Sequence, residues 1–96
     1  MKHHILAKYK ADISAEKKKE LAPKILELFE NTTSIPGINS VEVHENCIER
    51  DNRYDILIII DMERDALAEY DSCVWHKQWK QEYGELLEKK AIFDCE

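Results

Sequence analysis

The stretch "RYDILIIIDM", residues 53–62, constrains this chain more than any other. It is rich in β-branched residues and reads as a strand. Successive side chains of a strand point to opposite faces, so Ile56, Ile58 and Ile60 share one face and Leu57 and Ile59 the other. Both faces are apolar, the pattern of a strand covered on both sides. A chain of 96 residues makes one domain, residues 1–96, whose helices can cover only one face of a sheet. The other face needs a further cover, and a second copy of the same sheet is the simplest one.

The remaining elements follow from periodicity and turn chemistry. "HHILAKYK", 3–10, reads as a first strand, with His3, Ile5, Ala7 and Tyr9 on one face. "DISAEKKKELAPKILELFENTTS" reads as a helix capped by Ser14, with Leu21, Ile25, Leu28 and Phe29 as its apolar stripe. Pro23 lies inside it and predicts a kink, or a break and restart. The run Lys17, Lys18, Lys19 reads as a solvated helix face. "SIPGINS" is a turn built on Pro36 and Gly37, and "INSVEVHENC" is a second strand. "RDNR" joins that strand to the third. "ERDALAEYDS" and "CVWHKQWKQEYGELLEK" read as two helical pieces, the second loosened by Gly84, before a last strand, "KKAIFDCE". The order βαββαβ predicts a ferredoxin-like α+β sandwich with a four-stranded antiparallel sheet.

Composition narrows the function classes. The net charge of −6 does not attract phosphate backbones, so nucleic acid is not expected as a partner. No apolar run approaches the roughly 20 residues that span a bilayer. "MKHHILAKYK" lacks the apolar region and cleavage site of a signal peptide, and a cytoplasmic location is expected. Cys47, Cys73 and Cys95 are an odd set, which suits reduced thiols better than a disulfide framework.

The order and spacing of "KHHILAKYK", "IPGI" at 35–38, "EVHEN" at 42–46, "RYDI" at 53–56 and the Tyr70-to-His76 stretch resemble the stress-responsive A/B barrel domain family. The resemblance implies a homodimer in which two sheets pack face to face into a dimeric α/β barrel. Most members have no assigned reaction. One plant member closes a linear polyketide by an aldol reaction, with a tyrosine and a histidine at the positions of Tyr70 and His76 here. Its first-strand histidine corresponds to His3, and its third-strand histidine is replaced by Ile56. The family's His-Pro pair is replaced by Cys73 and Val74. The resemblance therefore implies Tyr70 and His76 as candidate catalytic residues.

Three readings of function stand side by side. The first is a homodimer binding a small, largely apolar molecule in a pocket between sheet and helices, edged by His3, Ile56, Trp75 and Trp79. The second is a lyase or cyclase needing no cofactor, in which His76 removes a proton α to a carbonyl and Tyr70 donates a hydrogen bond to the enolate. Residues six apart do not share a helix face, so this reading requires a break between Asp71 and Val74. The third is a structural dimer whose interior is filled. By analogy of fold, oxygenase chemistry is a weaker fourth. Trp75 and Trp79 also read as packing residues, His76 as a helix-edge residue bonded to a backbone carbonyl, and Cys73 as a reactive thiol at a helix start or an inert one. Metal binding is not expected. Cys73 and His76 have helical ligand spacing but lack two further ligands, and His44 and Cys47 fall on opposite faces of a strand. His3 and His4 likewise face opposite ways.

Overall fold

A computed structural model describes all 96 residues. Four antiparallel strands, β1 (Lys2–Tyr9), β2 (Ile38–Glu45), β3 (Ile56–Met62) and β4 (Leu87–Cys95), form one sheet in the order β2-β3-β1-β4. The helices are α1 (Ala15–Glu30), α2 (Leu67–Ser72) and α3 (Val74–Tyr83). This is the ferredoxin-like α+β sandwich that the element order predicts.

The period-2 pattern sorts the sheet into two faces. On β1, His3, Ile5, Ala7 and Tyr9 are buried, and on β3 so are Ile56, Ile58, Ile60 and Met62. They meet the buried face of α1, made by Leu21, Ala22, Ile25, Leu28 and Phe29, together with Trp79 and Tyr83 of α3. The opposite face of the sheet carries no helix. Cross-strand pairing puts His4, Ile59 and Phe93 side by side there, with Leu6, Leu57 and Ala91 in the next row. Phe93 is 63% exposed, and Leu57 and Ile59 are half-buried.

Local chemistry sets the ends of the elements. Ser14 caps α1, its Oγ accepting from the Lys17 amide at 3.1 Å. The helix passes through Pro23 without the break and restart that the proline predicts. Pro23 faces solvent, so water can satisfy the carbonyl that the missing amide leaves free. The turn before β2 uses Gly37 at φ 94°, where a side chain would also press on Ala66 and Glu63. Its carbonyl accepts from the Glu63 amide at 2.7 Å, tying the start of β2 to the end of β3.

The β2–β3 connection is longer than the "RDNR" turn and spans residues 46–55. Asn46 organises it: its Nδ2 donates to the Tyr54 carbonyl at 2.9 Å and its Oδ1 accepts from the Ile48 amide at 2.8 Å. At the far end, α3 stops at Gly84 and a single 3-10 turn leads into β4.

Candidate functional site

The site is built on the junction between α2 and α3. Helix α2 is only six residues long and ends at Ser72. Cys73 is extended (φ −73°, ψ 159°), and α3 begins at Val74. Cys73 serves both helix ends. Its amide donates to the Tyr70 carbonyl at 3.1 Å, and its Sγ accepts from the His76 amide at 3.4 Å. The junction brings Tyr70 and His76 together, with ring centroids 4.9 Å apart and planes at 50°. The break between 71 and 74 that their spacing requires is therefore present.

His3 of β1 joins them from the sheet. Its ring meets Tyr70 edge-on at 5.4 Å, and its Nδ1 lies 2.5 Å from Asp94 Oδ1 of β4. A carboxylate accepts, so Nδ1–H donates and the imidazole orientation is held. Asp94 is a residue that the sequence reading missed. The alternation of β1 puts His3 on the buried face, but only the β1–β4 register, His3 opposite Asp94, reveals its partner.

The electrostatics follow from burial. The Tyr70 side chain is fully buried, and its hydroxyl makes no hydrogen bond to any protein atom. Desolvation first, then the nearby Cys73 and Asp71, hold this phenol well above its ordinary pKa, so it stays a proton donor. His76 is half-buried, and its Nδ1 donates to the Asp71 carbonyl at 2.9 Å. That bond leaves the Nε2 lone pair as the basic one. Desolvation lowers the His76 pKa; the Asp71 carbonyl opposes this, and Lys80 adds to it.

The other pocket residues proposed from the sequence are not brought to this cluster. Trp79 is buried against Phe29 and Tyr83, with ring centroids at 5.2 and 5.3 Å. Ile56 is buried at the opposite end of β3, paired with Ala7, whereas His3 pairs with Ile60. Trp75 is half-buried beside the core. No recess of the chain has Tyr70 and His76 in its wall, and one of about 320 Å³ includes Asp94, with Arg64 and Leu67. No group of three or more His, Cys, Asp or Glu side chains is placed to hold a metal ion. No helix is long and apolar enough to cross a membrane.

The family model described as the stress responsive A/B barrel domain matches residues 1–96. The chain belongs to the stress-responsive A/B barrel domain family. A search of curated proteins finds no match to this A/B barrel domain. Among solved structures, it is similar to a dimeric ferredoxin-like protein of unknown function from Bacteroides fragilis, with a TM-score of 0.80 at 24% identity, covering 99% of this chain and 93% of that one. A protein of Arabidopsis thaliana aligns with a TM-score of 0.73 at 22% identity, over 99% and 92% of the two chains. A hydroxynitrile lyase from Passiflora edulis aligns with a TM-score of 0.70 at 12% identity, over 96% and 87%. At these identities the likeness is one of fold.

Proposed function

We propose that this A/B barrel domain acts in the cytoplasm as a homodimer that binds a small, largely apolar carbonyl compound beside Tyr70 and His76, between sheet and helices. One observation carries the reading: a fully buried Tyr70 hydroxyl without a protein partner stands beside a histidine whose Nε2 lone pair is free. A buried hydroxyl left unpaired is costly, and a ligand oxygen would satisfy it. Val74 and half-buried His76 lie at the exposed edge of α3, next to the Tyr70 ring.

The same geometry favours a second reading, a lyase or cyclase that needs no cofactor. Neutral His76 Nε2 takes a proton from carbon α to a carbonyl, and the electron pair moves onto the carbonyl oxygen. The Tyr70 hydroxyl donates a hydrogen bond to that oxygen without losing its proton. The enolate carbon then attacks a second carbonyl of the same molecule, and the His76 imidazolium returns its proton to the new alkoxide. His3, fixed by Asp94, supports the Tyr70 ring from the other side. The fold shared with a lyase from Passiflora edulis is compatible with such chemistry, but the argument rests on Tyr70 and His76.

The test is calorimetric titration of a β-diketone series into the wild type, Tyr70→Phe and His76→Gln. The reading predicts saturable binding that each substitution weakens about tenfold, the loss of one buried hydrogen bond. Equal affinities for all three proteins would leave a structural dimer with a filled interior. Proton–deuterium exchange at the diketone methylene separates the two readings, since only a catalyst accelerates it and His76→Gln abolishes that acceleration.

A further inference from the structure

Strand β4 is an edge of the sheet, and part of its helix side stays open beside the Tyr70–His76 cluster. Side chains paired across neighbouring strands share a face. Strand β1 turns His3, Ile5 and Ala7 into the core, and their partners on β4 are Asp94, Ile92 and Lys90. These three therefore form one row on the helix side. The row starts at the cluster, because Asp94 accepts from His3 and the His3 ring meets Tyr70. From Asp94 to Lys90 it runs about 13 Å, at roughly 3.3 Å per strand residue.

The middle of the row is apolar and uncovered. Ile5 is 2% exposed, yet its partner Ile92 is 54% exposed, because no helix reaches over this edge. Ile92 does not lie on the helix-free face of the sheet, so a second copy packed on that face would leave it open.

The far end of the row is cationic. Lys90 is exposed there, and Lys80 is exposed on α3, one turn after His76. Neither lysine forms an ion pair within the chain. Both charges reach His76. Burial is the first cause of its lowered pKa, and Lys80 and Lys90 add to it, while the carbonyl and the charge of Asp71 oppose them. Of the carboxylates nearby, Asp94 is bonded to His3 at the other end of the row, and Asp71 belongs to α2, before the helix break. A negative group that lies beyond Ile92 meets the two unpaired lysines.

We infer that the ligand of this site is a keto acid, an anion whose carbonyl lies at Tyr70, whose aliphatic chain covers Ile92 and whose carboxylate meets Lys90 and Lys80. The inference rests on the reading of Tyr70 and His76 as a carbonyl site, and it adds the charge that the ligand carries. Lys90 sets specificity and takes no part in proton transfer. An exposed ion pair discriminates about fivefold at low salt, and added salt screens it.

The test is calorimetric titration of 5,7-dioxooctanoate and its methyl ester into the full chain at low salt. The two compounds share one β-diketone and differ by one charge. The acid is expected to bind about fivefold tighter than the ester. Lys90→Gln removes most of that preference and leaves ester binding unchanged, and adding Lys80→Gln removes the rest. Lys89→Gln keeps the preference, because Lys89 lies on the opposite face, over the Tyr54 ring at 5.3 Å. Ile92→Ser weakens acid and ester alike. Equal binding of acid and ester, with both still weakened by Tyr70→Phe, would overturn the inference and leave the carbonyl reading standing. A preference that survives the double lysine variant, or that Lys89→Gln also removes, would overturn it in the same way. Absence of saturable binding by either compound, or binding that Tyr70→Phe leaves unchanged, would overturn the carbonyl reading and the inference together.

Discussion

Tyr70 concentrates the functional argument at the scale of single residues. Its hydroxyl is buried without a partner, so Tyr70→Phe is predicted to raise stability by about 1 kcal/mol while weakening ligand binding, as read by denaturant melts beside titrations. A loss of stability would mean that the hydroxyl is satisfied and the ligand argument has no basis. His76 gives a pH prediction. Burial lowers its folded pKa below the ordinary 6.5, so the unfolded chain binds the proton more readily in the window just below that value. Its contribution to stability is complete above about pH 6.5 and is lost as pH falls through the folded pKa. His76→Gln should flatten the acid limb of a stability-against-pH profile between pH 6.5 and 5, and an unchanged limb would contradict the buried placement. These two residues were legible only through the likeness to a family, because periodicity placed them on different helix faces. Asp94 was illegible altogether, since its role depends on a strand register spanning nearly the whole chain.

One joint decides the arrangement of the site at the scale of elements. The α2–α3 break at Cys73 sets the distance between Tyr70 and His76, and a sulfur holds the cap at 3.4 Å. Serine is the better capping side chain, so Cys73→Ser is expected to raise stability by about 0.5–1 kcal/mol and keep the ring geometry. Cys73→Ala should lower stability, which thermal melts of the two variants would resolve; equal melts would show that the cap contributes nothing. In α1, Pro23 removes one backbone donor from an otherwise continuous helix. Pro23→Ala is predicted to stabilise the chain by about 1–3 kcal/mol, the gain reduced by the greater freedom of the unfolded chain. Strand alternation, the Ser14 cap and the Gly37 turn were all readable, because each depends on neighbours within a few residues. The continuity of α1 through Pro23 was not, because it depends on which way the proline faces once the helix docks.

The two-faced strand β3 sets the central question for the whole molecule. One face is buried under α1 and α3, while the other carries Leu57 and Ile59 on β3, Leu6 on β1, and Ala91 and Phe93 on β4, with no helix above them. That asymmetry was visible in "ILIII" before any tertiary information, because it needs only the period of a strand. What covers the face is not contained in the pattern. Two structural neighbours are described as dimeric, and the homodimer proposed for this chain would cover the face with a second copy. The most direct test is light scattering coupled to size-exclusion chromatography on the wild type and on Ile59→Lys, which places a charge at the centre of the uncovered face. The account predicts a wild-type mass twice the 11.3 kDa of one chain at micromolar concentration, and a single-chain mass for Ile59→Lys with the fold retained by circular dichroism. A wild-type mass of 11.3 kDa, or a variant that stays paired, would contradict it.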